Sequence, residues 1–408
     1  MTGSGGSRIA EAVFWLSAGL IGATYVGVPL VVLARGVLRR RPIAAGSIRP
    51  SVSVVIAARN EAANIGARLT NLLDGESPAG GLEIVVASDG SDDGTNEIVA
   101  TFADRGVRLL ALPRVGKADA LNAAVAATSG EIVVFTDANT RFAPDAISAL
   151  IRPFGDPEVG GVAGDQRYVR TALEDGIATG ERGYWDLDRA LKRAESQAGN
   201  VVSATGAIYA IRRELFRPVI AGVTDDFYTS VQVVDQGRRL VFAEDAVAFE
   251  PPAASGGDEF GRKVRIITRG LRGTIAMRRL MDPRRTGFYA LQLVWHKVMR
   301  RLMVLPLIGL FASSLLLVRD GPFYAFTALT QLAGYTLGAV GLALRGRPEG
   351  RAKPLAWPAF FLLVNGAALR AVLDIARGRR IDRWDPVRRT PDATPPGIGA
   401  ETVGEDAA

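Results

Sequence analysis

The chain opens on an apolar run. Residues 12–34 carry no charged side chain, and the next charge is Arg35. As a helix that run is long enough to cross roughly 30 Å of hydrocarbon. A cleaved leader is the rival reading, but its apolar core is shorter and follows its basic residues. Here Arg35, Arg39, Arg40 and Arg41 come after the run. Basic residues collect on the cytoplasmic side of a span, so the chain that follows is expected in the cytoplasm.

The period then changes. SVSVVIAA (51–58), LEIVVAS (82–88), VRLLALP (107–113) and EIVVFTD (131–137) are short, β-rich apolar runs. Between them lie the amphipathic stretches EAANIGARLTNLLD, NEIVATFADRG and KADALNAAVAATS, the last stopping at Gly130. Strands alternating with helices at this spacing predict an α/β domain with a mostly parallel, Rossmann-like sheet. Such sheets bind ligands at the carboxyl ends of their strands, and the acidic and glycine-rich clusters fall there.

Beyond about 285 the apolar runs return at 301–318, 322–344 and 355–373, each near spanning length. The preceding RTGFYALQLVWHKVMRR mixes aromatic, apolar and basic residues, as an interfacial helix does. The pattern divides the chain into an N-terminal span with its basic flank (1–45) and a cytoplasmic catalytic domain (46–285). An interfacial helix with about three membrane segments follows (286–385), then a disordered tail rich in Pro, Thr, Gly and acids (386–408). Strict alternation carries the last span out of the cytoplasm, whereas the basic RGRRIDRWDPVRR after it holds that side in. The side of the C-terminus is left open.

Composition narrows the chemistry. Of 408 residues 48% are hydrophobic, and the net charge is +7. Many arginines flank apolar segments, so the charge reads as contact with an anionic leaflet and not as nucleic-acid binding. There is no cysteine, hence no disulfide framework, thiolate metal site or Cys nucleophile. There is one histidine, His296, so a catalytic dyad or triad built on histidine is nearly excluded.

Several residues carry possible chemistry. Asp137 closes a strand two residues before Asn139, and together they could hold a Mg²⁺ or Mn²⁺ bridging a diphosphate. A plain turn aspartate is the alternative. Asp89, at the end of the second strand, reads as a contact to a base or ribose, or as an Asx turn. Lys117 begins a helix after a glycine, where it reaches a phosphate or stands in solvent. Asp225 and Asp226 open another helix, as capping acids or with one as a general base. The small-residue loop before them, with Thr205 and Gly206, lets a bulky acceptor approach the backbone. Arg262, Lys263, Arg265, Arg269 and Arg272 form a leaflet-facing patch or a clamp on a departing diphosphate.

Taken in order, VVIAARNEAANI, ASDGSDDGT, GKADALNAAVAATSGEIVVFTDANT, ATGAIYAIRREL, TDDFYTSVQVVDQG and the RKVRIITRG region resemble the membrane-integrated family 2 glycosyltransferases. That group includes the synthases of poly-N-acetylglucosamine, hyaluronan and cellulose, and the likeness covers roughly residues 50–300. It implies a GT-A fold with a divalent metal, Mg²⁺ or Mn²⁺. It places Asn60, Glu61 and Asp89 in the nucleotide pocket, with Lys117 near the nucleoside or diphosphate. Asp137 would be the first acid of the DxD motif, Asp226 the catalytic base at the TED aspartate, and Arg265 a cation on the donor side. The implied reaction is inverting transfer from a nucleotide-sugar, by default a UDP-sugar. The acceptor would be a glycan or a lipid-linked group at the inner face of the cell membrane, in a multi-pass protein making polysaccharide or glycolipid.

The departures are specific. Asn139 replaces the second DxD acid, and Asp225 the TED glutamate. The QxxRW motif becomes Arg262-Lys263-Val264-Arg265-Ile266, without Gln or Trp, which favours adding one or a few sugars over processive synthesis. Asn139 and the altered QxxRW region are the only support for the alternative of a non-catalytic nucleotide-sugar-binding scaffold. A nucleotidyltransferase is discounted, since Ala57-Ala58-Arg59-Asn60-Glu61 stands where its glycine-rich basic loop belongs.

Overall fold

The computed structural model describes residues 3–44, 46, 48–168, 176–250, 259–345 and 347–379. The reading of the tail beyond 386 lies outside them. Eight strands form one sheet in the order β3-β2-β1-β4-β7-β6-β8-β5. They are β1 (Val52–Ala58), β2 (Leu82–Asp89), β3 (Val107–Leu112), β4 (Ile132–Thr136), β5 (Arg141–Phe142), β6 (Val159–Tyr168), β7 (Tyr209–Arg212) and β8 (Arg239–Glu250).

All seven residues of β1 are buried, because helices cover both faces of the sheet. Val54 and Ile56 enter one core, and Val55 and Ala57 the other, as the two-residue period of a strand requires. The half β3-β2-β1-β4 is parallel throughout. β7 then runs antiparallel to both β4 and β6, while β6 and β8 are parallel. The expected mostly parallel sheet is present, with an antiparallel seam at β7 that the strand pattern does not announce.

Five helices bear on the site: α1 (Ala62–Leu73), α2 (Lys117–Ala126), α3 (Gly176–Ala198), α4 (Asp225–Asp235) and α5 (Glu259–Ala276). Among the described residues two helices, Gly6–Leu38 and Lys353–Ala376, are long and apolar enough to cross a membrane. Phe288–Leu302 and Val304–Leu316 add a third if the pair, bent by 51°, counts as one span. The stretch read as an interfacial helix is thus the first limb of that pair. Pro322–Ala343 has the length, but Thr327, Thr330, Gln331 and Thr336 dilute its apolar character.

The apolar helices are not a separate body. Val32 packs with Leu191 and Ala194 of α3, and a Cβ on Gly36 would stand 2.7 Å from Ala194 Cα. On the other side Val264 of α5 packs with Ala367 and Ala371.

Candidate active site

The carboxyl ends of β1, β2 and β4 converge on one cleft. Asn60, just after β1, takes a positive φ of 51° that asparagine tolerates better than most residues. Its side chain is committed: Nδ2 donates to Asp92 Oδ1 at 2.8 Å, and Asp92 N donates back to Asn60 Oδ1 at 3.0 Å. Glu61 N donates to Thr95 Oγ1, and Ala62 N to Asp93 Oδ2. The start of α1 is thereby fastened to the loop after β2.

Asp89 is fully buried. Its Oδ1 accepts from Val115 N at 2.6 Å and Gly116 N at 2.8 Å. Among the described residues its Oδ2 has no hydrogen-bond partner and only the Arg59 guanidinium, 4.0 Å away, as an ionic one. A buried carboxylate satisfied on one oxygen alone is costly, which marks Asp89 as a candidate for recognition. By holding Val115 and Gly116 it also sets where α2 begins, at Lys117.

Lys117 Nζ lies 3.0 Å from Asp137 Oδ1 and 3.1 Å from Asp225 Oδ2. Burial works against its ammonium, but Asp137 and Asp225 outweigh that and hold its pKa above the usual lysine value. Asp226 accepts from Phe227 N at 2.7 Å through Oδ1. Burial, and then the charge of Asp225, push it up to about 6. Gly206 borders both acids: a Cβ there would stand 3.1 Å from Asp137 Oδ2 and 3.9 Å from Asp226 Oδ2. Among the described residues the buried Thr205 and Thr224 hydroxyls have no hydrogen-bond partner. The structure therefore brings Lys117, Asp137, Thr205, Gly206, Asp225 and Asp226 together.

Two supporting residues escape the sequence reading. Arg68, completely buried on α1, donates to Thr136 Oγ1 at 2.9 Å and Asn71 Oδ1 at 2.7 Å, and lies 4.0 Å over the Phe142 ring. Burial, helped by Arg141, pushes it down to about 9. Asn71 in turn holds both backbone groups of Phe142, so the turn from Asp137 to Phe142 is pinned at both ends. The second residue is Glu250, at the end of β8, which accepts from Gln166 Nε2. Burial, and then Asp137, push it up to about 7. Arg68 lies three residues beyond VVIAARNEAANI and Glu250 between two of the quoted motifs, and neither carries a local signal.

The basic stretch forms α5. Arg262 stands 4.0 Å from Glu259, whereas Arg265 is half-buried with no hydrogen-bonded or ionic partner among the described residues. Two glycines let α5 dock. A Cβ on Gly273 would meet Phe227 at 3.0 Å, and one on Gly270 would run into the Arg301 guanidinium. His296 pairs with the buried Glu195 at 3.1 Å.

Residues 53–219, which hold β1 through β7 and most of the cleft, match the model of Glycosyl transferase family 2. They are a family 2 glycosyltransferase domain. Over 219 residues the chain is 30% identical to a beta-monoglucosyldiacylglycerol synthase of Trichormus variabilis, covering 51% of this chain and 46% of that protein. It is 24% identical over 323 residues to an N-acetylglucosaminyltransferase of Bradyrhizobium diazoefficiens, covering 73% and 64%. A poly-beta-1,6-N-acetyl-D-glucosamine synthase of Staphylococcus epidermidis is 28% identical over 206 residues, covering 50% and 48%. The chain thus spans about half the length of most of these relatives. A mannosyltransferase of Pyrobaculum calidifontis, solved with GDP-mannose and Mn²⁺, superposes with a TM-score of 0.65 at 24% identity, over 91% of this chain and all of that one. That likeness shows the fold, which is GT-A.

The donor set of the glycosyltransferase domain can be tested against a divalent metal. Among the described residues no three His, Cys, Asp or Glu side chains cluster as metal ligands. Asp137 gives one carboxylate, and the half-buried Asn139 amide has no hydrogen-bond partner among the described residues. One carboxylate and one neutral oxygen fit a hard cation that draws its remaining ligands from a diphosphate and water.

Proposed function

We propose that the protein is an inverting glycosyltransferase, moving a sugar from a nucleotide-sugar to a hydroxyl of a glycan or lipid-linked acceptor at the membrane face. The observation that carries this is the meeting of Asp137, Asp225 and Asp226 around Lys117 and Gly206 at the carboxyl ends of the sheet. Asp89 receives the nucleoside through its unpartnered oxygen, and Glu61 lies at the rim of that pocket. Asn60 shapes the pocket through Asp92. Lys117 and Arg265 face the diphosphate. Asp137 and Asn139 would hold Mg²⁺ or Mn²⁺, which when bound would neutralise charge on the leaving diphosphate.

Asp226 is the base. Raised to about 6, it is ionised at neutral pH yet basic enough to take the acceptor proton. Its Oδ1 is fixed by Phe227 N, leaving Oδ2 toward the floor at Gly206, where an acceptor hydroxyl approaches the sugar opposite the leaving group. Asp225 keeps Lys117 in line with Asp137. The apolar helices present the cleft to the cytoplasmic leaflet of the cell membrane, which suits relatives named for a glycolipid and for polymeric N-acetylglucosamine.

The test is nucleoside diphosphate release by the detergent-purified chain from a panel of nucleotide-sugars, with Mg²⁺, Mn²⁺ or EDTA, beside Asp137→Ala. Metal-dependent release from one donor, lost in the variant, is expected. Neither binding nor release with any donor, with diacylglycerol and glycan acceptors supplied, overturns the reading in favour of a scaffold.

A further inference from the structure

The small-residue loop that leads to Gly206 is held by side chains from outside the sheet. Val202 lies three residues before Thr205, and both of its backbone groups are taken. Its N–H donates to Glu195 Oε2 of α3 at 3.1 Å. Its carbonyl accepts from the Tyr289 hydroxyl at 2.9 Å. Glu195 is 3% exposed, and its other oxygen stands 3.1 Å from His296 Nε2. Tyr289 and His296 both belong to the limb Phe288–Leu302. That limb therefore reaches Val202 twice, directly through Tyr289 and by way of Glu195 from His296. Lys297, the next residue, stands 5.2 Å over the ring of Phe227, whose N–H fixes Asp226 Oδ1. Further along the loop Ala204 N donates to Ser230 Oγ at 3.1 Å, on the helix of the proposed base. The turn that carries His296 and Lys297, Val294–Met299, is π-helical, a rare widening that is frequent at functional sites. Apolar packing would dock the limb without these groups. Directed bonds to one peptide unit do what packing does not, which is to fix where that unit stands.

We infer that Tyr289, His296 and Glu195 are positioning residues for the acceptor side of the cleft, setting the loop from Val202 to Gly206 against Asp226 from the limb Phe288–Leu302. This rests on the reading of that loop as the acceptor's approach. The nucleotide side is built by other elements, the ends of β1 and β2 and the starts of α1 and α2. A shift of Val202 carries Gly206 with it and takes the acceptor hydroxyl out of line with Asp226, a geometry to which transfer is steeply sensitive. Donor binding is left as it was.

The experiment compares the wild type with Tyr289→Phe, His296→Ala and His296→Gln, each as the full chain in detergent. Nucleoside diphosphate release is measured from UDP-glucose, UDP-N-acetylglucosamine and GDP-mannose in turn, with diacylglycerol or N-acetylglucosamine oligomers titrated as acceptor. Tyr289→Phe and His296→Ala are expected to lower kcat/KM for acceptor by about tenfold or more, while calorimetric affinity for UDP or GDP stays within about twofold of the wild type. His296→Gln keeps a hydrogen-bond donor for Glu195 and is expected to recover part of the loss. Amide exchange over 202–206 should quicken in the variants that lose transfer. Thermal melts identify a variant that has not folded; Tyr289→Phe, which loses one hydroxyl, still decides if His296→Ala is such a variant. Folded variants with wild-type acceptor kinetics overturn the inference and leave the glycosyltransferase reading standing. Equal losses of nucleotide affinity and acceptor kcat/KM also overturn it, since they mark a general loosening of the domain. No release by the wild type with any pairing of donor and acceptor overturns the acceptor reading and this inference with it.

Discussion

A Cβ placed on Gly206 would stand 3.1 Å from Asp137 Oδ2. That contact is tighter than side chains ordinarily accept, and Asp226 Oδ2 lies 3.9 Å from the same point. The missing side chain of Gly206 therefore leaves open the space that both carboxylates border. Gly206→Ala is expected to lower kcat by about tenfold or more, since displacements near 1 Å cost that much. The melting temperature should move little. A variant with normal turnover would show that the floor is not where the sugar lies.

The pH dependence follows from the acid pair. Asp226 must be ionised to accept a proton, so kcat/KM should rise through about pH 6 and level above it. Asp225 is the second cause of the raised value, after burial. Asp225→Asn removes a negative charge, so the acid limb should move to lower pH even as the rate falls. An unmoved limb would assign it to another group. The same shift acts on stability: the folded chain keeps this proton longer than the unfolded chain, so the contribution of Asp226 falls as pH rises through 6.

Asp89 separates scaffold from recognition. Asp89→Asn keeps an oxygen for Val115 N and Gly116 N but loses the charge near Arg59. It should melt near the wild type and bind donor more weakly. Asp89→Ala strands two amides as well, and should lose about 1–3 kcal/mol of stability along with donor binding. Equal behaviour of the two variants in calorimetry would place Asp89 in the scaffold alone.

Arg68→Met tests the pinning of the Asp137 turn. It removes the bonds to Thr136 and Asn71, with an expected loss on the order of 1–3 kcal/mol and a fall in turnover. Arg68 is completely buried and engaged by Thr136 and Asn71, so KM for donor should change less than kcat. A change confined to KM would show that the turn keeps its shape without it.

The legible parts of this molecule are those whose signals are local. β1 to β4 declare themselves by buried apolar runs, and Asp89 and Asp137 by standing at strand ends. Lys117 and Asp226 stand at helix starts. Asn60 was legible as part of a motif, but its bond to Asp92 was not, because a pair between two loops leaves no trace in either. Arg68 reads in sequence as a solvated helix residue, and only the closing of Phe142 over it makes it a core cation. Glu250 reads as the last polar residue of a strand, and its place depends on which strand β5 chooses as partner. The antiparallel seam at β7 has the same origin, since strand order is set by packing across the sheet.

Helix α5 touches three bodies at once. Gly273 sits against Phe227, next to the proposed base; Gly270 sits against Arg301; and Val264 packs on Ala367 and Ala371 of an apolar helix. Close glycine contacts and a small-residue seam tie the start of the catalytic helix to the apolar helix along that path. In the proposed orientation the base then stands at a constant height above the lipid surface. The fold would act as a gauge, admitting hydroxyls carried at that height and missing those buried deeper or borne on longer stalks.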